Sequence, residues 1–194
     1  TRILLLRIMQ ICSGAGQLQR GAELFCLSLS QSLMRSGEEI LLVTGEHPLI
    51  TASQCTVPMV TVPEIVNPWL RKACFDYINP FAIAALRKHL LHFRPQIIHV
   101  HSLYGLSSTL VHTASRFCPI IITLHDAFFA FSDSGILTPK WSLANSCLKV
   151  PHGYLHRVIN RRQLRDAVLV SPSKWLADFF DRTGFNTPRV IPNG

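Results

Sequence analysis

Thr123-Leu-His125-Asp126 closes a run of β-branched residues, Ile120-Ile-Ile, with an imidazole and a carboxylate at adjacent positions. An imidazole titrates near neutrality and a carboxylate is ionised there, so the pair brings a donor or acceptor and a fixed negative charge to one point. The chemistry that suits it is proton transfer or the stabilisation of developing charge; the plain alternative is a histidine that only satisfies packing. Phe128, Phe129 and Phe131 follow directly and supply either an apolar pocket mouth, Phe128 foremost, or core. A second pair, His99-Val-His101, precedes Ser102, and alternation along a strand turns both rings to the same face. That spacing occurs on the strands of metal-dependent hydrolases. A metal would need carboxylate or further imidazole ligands, and His112 on the next helix is a poor third, so no metal is expected. His99 is read as packing against a helix, and His101 and Ser102 as lining the rim of a pocket.

The first loop carries Gly14-Ala-Gly16 after a strand and before a helix. A dinucleotide fingerprint requires a third glycine where Gln19 stands, and the acidic residue expected for a ribose has no good candidate, Glu46 lying too far along. Gly21-Ala22-Glu23 opens the helix instead. Unpaired N–H groups and the positive helix end make a phosphate seat there, which a small residue lets a ligand approach; a plain tight turn is the competing reading. Arg157, Arg161 and Arg165 recur at every fourth position with Arg162 beside them, a basic stripe that is either a solvated helix face or a contact for anionic membrane.

Elements must position these groups, and the periodicity supplies them. Strands are expected over Ile3–Met9, Ile40–Thr44, Val57–Val62, Ile97–Val100, Ile120–Leu124, Ala167–Val170 and from Arg189. Helices are expected over Gly21–Ser36, with Ala22, Phe25, Leu29 and Leu33 inward, and from the Asn79-Pro80 cap to about Phe93. Three more are expected over Leu106–Arg116, Leu155–Arg165 and Lys174–Asp181, with an irregular stretch after Leu124. Strands alternating with helices of this length imply parallel units with right-handed crossovers. The expected fold is a Rossmann-like, doubly wound α/β sheet of seven mostly parallel strands with helices on both faces, binding its ligands at the carboxyl ends of the strands.

Composition narrows the setting. The 194 residues suit one domain with a full core, and 48% hydrophobic against 15% charged residues excludes disorder. A net charge of +8 favours anionic partners without choosing among them. Cys12, Cys26, Cys55, Cys74, Cys118 and Cys147 form no CxxC pair, and most stand in apolar runs, which reads as a reducing, cytoplasmic setting without structural zinc. Arg7 and Gln10 interrupt the apolar start, so a signal peptide is not expected. No window reaches the 18 or so apolar residues of a spanning helix. The chain begins at Thr1 rather than Met, so a front trimmed from a longer sequence is expected.

Five segments taken in order carry a family resemblance. They are Gly21-Ala-Glu23, Arg94-Pro-Gln-Ile-Ile-His-Val-His-Ser, Ile121-Ile-Thr-Leu-His-Asp126, Val170-Ser-Pro-Ser-Lys-Trp-Leu-Ala177 and Arg189-Val-Ile-Pro-Asn-Gly194. Together, over nearly the whole chain, they resemble the N-terminal domain of retaining family-four glycosyltransferases of the two-lobed GT-B fold.

The resemblance implies residues 1–194 as a single acceptor-side domain, with a C-terminal lobe that binds most of the nucleotide-sugar donor lying outside the chain. It implies His125 in contact with the transferred sugar, with Asp126 orienting the site. Gly16, Gly21 and Ala22 would lie at the donor diphosphate, and His101, Ser102 and Phe128 would line the acceptor pocket. No cofactor and no metal are implied. The acceptor is a carbohydrate, a lipid-linked molecule or a small molecule, nucleic acid is not expected as a partner, and the chain alone is expected to be inactive. The setting is cytoplasmic, with peripheral contact at the inner face of an anionic membrane as a further expectation. Arg20 stands where the family often has a first glycine, which alters the approach to the diphosphate or makes Arg20 itself a phosphate contact. Two other readings stay open: a non-catalytic binding module of the same fold, and a nicotinamide-dependent oxidoreductase domain that would bind its nucleotide unaided.

Overall fold

The computed structural model describes residues 5–15, 21–46, 56–65, 67, 78–130 and 151–193. Its strands are β1 (Arg7–Cys12), β2 (Glu39–Glu46), β3 (Met59–Pro63), β4 (Ile97–Ser102), β5 (Ile120–Thr123), β6 (Val168–Ser171) and β7 (Arg189–Val190). The helices among the described residues are α1 (Gly21–Arg35), α2 (Pro80–Phe93), α3 (Thr109–Ala114), α4 (Pro151–Gln163) and α5 (Lys174–Arg182). All neighbouring strands pair in parallel, in the order β3-β2-β1-β4-β5-β6-β7. The order reverses between β1 and β4, the switch point where open α/β sheets leave a crevice at their carboxyl edge.

Alternation along each strand sorts the two faces. Met9, Ile11, Val43, Ile98, Val100 and Ile122 enter one core with Leu86 and Leu90 of α2 and Phe180 of α5. On this face α2 packs on α3, and α3 on α4. Ile8, Cys12, Ile40 and Leu42 enter a second, smaller core with Cys26 of α1. Gln10 lies between Ile8 and Cys12 on that second face, and it is fully buried. A buried amide among apolar neighbours requires a hydrogen-bond partner, and the α1 face accordingly carries a polar seam.

Several boundaries differ from expectation for identifiable reasons. β1 starts at Arg7 and runs on to Cys12. Ahead of it Leu6 N–H donates to Glu38 Oε2 at 2.6 Å, and Leu5 is exposed; the first residues of the expected strand lie outside those described. The buried line of α1 is Glu23, Cys26 and Ser30, about one residue, or 100°, round the helix from the expected stripe. Ser30 is tolerated there because its hydroxyl donates to Cys26 O at 2.7 Å. α3 starts later than expected because Gly105 (φ 74°) and Ser107 (φ 83°) take left-handed turns that a helix cannot contain. The Asn79 cap is present: Oδ1 accepts from Ala82 N–H at 3.0 Å, and Nδ2 donates to Pro63 O at 3.0 Å and Gly105 O at 3.2 Å. One buried side chain thus ties the start of α2 to the ends of β3 and β4.

Candidate functional site

The pairing of β1 with β4 slips at its end: Ile11 faces Val100, while Cys12 faces Ser102. His101 is therefore the extra residue of a bulge, a device that re-aims a side chain beside a functional edge. Its ring lies 4.1 Å from that of His99 and 5.6 Å from that of His125, centroid to centroid. Phe25 of α1 packs against both His101 and His125, at 5.7 and 5.5 Å.

Hydrogen bonds order this trio. His101 Nε2 lies 2.8 Å from Gln10 Oε1. A carbonyl oxygen only accepts, so His101 donates from Nε2, and its Nδ1 is left as an acceptor. His125 Nε2, 3.3 Å from that Nδ1, is then the donor, and His125 keeps a lone pair on its own Nδ1. His99 Nε2 lies 2.8 Å from Thr123 Oγ1. Burial pushes His99 and His125 each down to about 4, with the neighbouring His125 adding to the effect on His99. Burial first, then His99 and His125, holds His101 well below the ordinary 6.5. All three rings are neutral at neutral pH. Among the described residues no group of three or more His, Cys, Asp or Glu side chains is placed to hold a metal ion.

Asp126 Oδ1 accepts from Phe128 N–H at 2.8 Å, pinning the turn that follows His125. Burial raises its carboxyl and this N–H offsets part of the rise, while the residue keeps an exposed outer side. The crevice beside this turn has a hydroxyl floor. Ser13 N–H donates to Ser102 O at 3.1 Å, and the two hydroxyls meet at 3.0 Å. Thr44 Oγ1 donates to Ser13 O and Ala15 O, at 3.1 and 3.0 Å. The Glu64 carboxylate lies where a Cβ on Gly45 or Gly105 would stand: added to Gly105, that atom would come 2.7 Å from Oε1. Two glycines thus make room for one acid at the carboxyl edge.

The expected site residues divide accordingly. His125, Asp126 and Ser102 gather at the carboxyl edge of β4 and β5. His101 is 3% exposed; it lies beneath the rim rather than on it, and reaches the edge through His125. Phe128 belongs to the core, 5.8 Å from both Tyr104 and His156 and bonded to His156 through its carbonyl. Gly21 and Ala22 open α1 as expected, while Gly16 and Arg20 lie outside the described residues. A Cβ added to Gly21 would meet nothing within 4 Å among those residues. Gln10, Ser13 and Glu64 were not singled out from the sequence. The available signal was the lone amide inside Ile8-Met-Gln-Ile-Cys12; nothing comparable marks Ser13 or Glu64.

The seven-stranded parallel sheet with its switch-point crevice defines a Rossmann-like domain of the GT-B kind. The model of Glycosyltransferase Family 4 matches residues 19–194, and the chain belongs to that family. Comparison with curated protein sequences gives no match. Among solved structures, the chain is similar to HepE of Anabaena in complex with UDP, at 15% identity, covering 98% of this chain and 44% of that one with a TM-score of 0.59. It is similar to the S. aureus MnaA–UDP structure, also at 15% identity, covering 98% of this chain and 44% of that one with a TM-score of 0.55. A third is sucrose-phosphate synthase from Thermosynechococcus elongatus, at 14% identity, covering 97% of this chain and 89% of that one with a TM-score of 0.58. At these identities the likeness is one of fold. The chain spans less than half the length of the first two.

Proposed function

We propose that this chain is the N-terminal, acceptor-side lobe of a two-lobed glycosyltransferase that moves a sugar from a nucleotide-sugar donor to an acceptor hydroxyl with retention. The family match supports the transfer chemistry, and the UDP bound to HepE and MnaA supports a nucleotide-sugar donor. Most of the donor is held by a second lobe, so the chain alone is inactive, and no metal or cofactor takes part. The acceptor is a carbohydrate, a lipid-linked molecule or a small molecule, and nucleic acid is not a partner. The protein works in the cytoplasm, in part at the inner face of the membrane.

The observation that carries the reading is the neutral His125 at the end of β5, fixed through His101 to Gln10. Its Nδ1 lone pair accepts a hydroxyl of the transferring sugar and steadies the positive charge that develops on the ring in the transition state. A protonated histidine would do the opposite, so the low affinity for protons belongs to the function. Asp126 orients the turn. The N–H groups at Gly21 and Ala22, at the positive end of α1, face the leaving diphosphate, and no described residue stands within 4 Å of a Cβ at Gly21 to block it. Ser102, with Ser13 beside it, orients the acceptor.

The test is His125→Ala in the full-length protein. Turnover should fall by about 10²–10³, the usual cost of one transition-state contact, with the fold retained by circular dichroism. A near-normal rate, or a protein that simply unfolds, would return His125 to a structural role. A non-catalytic module would show no turnover to lose, and an oxidoreductase domain would bind a nicotinamide nucleotide without the second lobe.

A further inference from the structure

We infer that the cleft between α4 and the turn after α5 is a docking site for anionic phospholipid at a bilayer surface. The cleft encloses about 640 Å³. Tyr154, Val158, Arg161 and Arg162 of α4, and Arg165 in the turn just after it, face Phe185 across it. At 100° per residue, Tyr154, Val158 and Arg161 fall within about 60° of one another, opposite His156 and Asn160. Those two are buried and fasten the inner side of the helix: His156 Nε2 bonds Phe128 O and Asn160 Nδ2 bonds Phe129 O, each at 2.9 Å. The outward face is therefore fixed by the fold. Tyr154, Leu155 and Val158 give its first half apolar surface, with Arg157 lying 5.9 Å over the Tyr154 ring, and Arg161 and Arg162 make its second half basic.

Each half is unusual for a solvated helix. Tyr154, Leu155 and Val158 are exposed at 57%, 50% and 38%. Arg161 and Arg162 have neither a hydrogen bond nor an ion pair among the described residues, and Arg165 pairs only with its exposed neighbour Asp166, a contact worth little in water. Gly184, with φ +84°, makes the turn beneath Arg161, whose guanidinium carbon lies 2.7 Å from where a Cβ on that glycine would stand. The missing side chain lets Arg161 lie over the turn. Asn186 Nδ2 clamps the same turn to Arg165 O at 2.7 Å.

Arginines beside exposed tyrosine, leucine and valine suit a phosphodiester headgroup with the start of its acyl chains. A free phosphate would use the basic half and leave the apolar half without a partner. α4 leads from the carboxyl edge of β5 towards the start of β6, so its apolar half lies nearer the edge that carries His125. Docking here would hold the crevice close to the bilayer. The inference does not depend on the transferase reading.

The experiment is flotation of this chain with vesicles of phosphatidylcholine alone and of phosphatidylcholine mixed with phosphatidylglycerol. Partition into the mixed vesicles is expected at about 0.1 M salt, and it should fall as the Debye length shrinks from about 10 to about 3 Å at 1 M. Arg161→Gln/Arg162→Gln/Arg165→Gln should lower it on the order of 100-fold. Arg87→Gln/Lys88→Gln/Arg116→Gln removes the same charge elsewhere and should cost far less. Tyr154→Ser/Val158→Ser should weaken binding without changing its salt dependence. All of these residues but Lys88 and Arg87 on α2 and Arg116 after α3 belong to the cleft, all are exposed, and circular dichroism confirms each fold. Absence of partition, equal loss in the two triple variants, or displacement by soluble glycerol phosphate would each overturn the inference.

Discussion

The histidine seam makes a strong prediction about acid. A group whose folded affinity for protons lies below its unfolded value contributes stability that is complete above the unfolded pKa. That stability is lost as pH falls, because the unfolded chain takes up protons the native state excludes. His99 is held at about 4 by burial and by His125, against an ordinary 6.5. The difference corresponds to about 3 kcal/mol at full development. His125 adds a similar term, reduced because the ring is partly exposed, and His101 acts in the same direction. Between pH 6.5 and 4 each such ring makes the unfolded state bind up to about one proton more, a slope near 1 kcal/mol per pH unit. Asp126 opposes this weakly, since its raised carboxyl favours the native state as pH falls.

Urea denaturation at a series of pH values measures the slope directly. Native stability should be level above neutrality and fall steeply on the way to pH 5, losing a large share of the 5–15 kcal/mol typical of a domain. His99→Gln keeps a hydrogen-bonding partner for Thr123 and removes the titration, so its profile should be shallower by about 1 kcal/mol per pH unit. Identical slopes for the two proteins would refute the reasoning, whatever their stability at neutral pH.

Gly105→Ala places a side chain at φ +74°, where its Cβ would come 2.6 Å from Glu64 Cγ. The backbone alone should cost about 1–2 kcal/mol, and thermal melts of the variant with and without Glu64→Ala will separate that strain from the collision with the acid. The isolated chain should fold cooperatively and yet transfer no sugar; turnover on the order of 1 s⁻¹ or more, with any donor and acceptor tested, would refute the half-enzyme reading.

The strands and helices were legible because one face of the sheet is wholly apolar: Ile98, Val100, Ile120 and Ile122 read as buried β whatever follows them. The strand-end position of His125-Asp126 came from the same pattern. What could not be read was geometry that depends on two segments at once. The bulge at His101 arises from a slip between β1 and β4, and it decides that His101 is buried beneath the rim. Phe128 belongs to the core because His156, many residues later, bonds its carbonyl. The stripe of α1 was misjudged because periodicity assumes an apolar partner, whereas this helix covers Gln10 and the imidazoles as well as Cys12. Glu64 is invisible to any local pattern, since its place is made by two distant glycines, Gly45 on β2 and Gly105 in the turn after β4.

That acid gives the crevice a polarity that the proposed reading can use. The start of α1 is positive and lined with N–H groups, and the Glu64 side offers carboxylate oxygens. A diphosphate is drawn to the first, whereas acceptor hydroxyls donate readily to a carboxylate. On this reading the donor phosphates lie at Gly21 and Ala22, and the acceptor lies between Glu64, Ser13 and Ser102. Glu64→Gln keeps the shape, removes the charge and weakens a charge-assisted hydrogen bond, a loss of about 1.4 kcal/mol or tenfold. In the full-length protein the acceptor KM should rise by about that factor while the donor KM stays level. A donor KM that rises instead would reverse the assignment of the two ends, and a variant unchanged in both would leave Glu64 only a wedge between β2 and β4.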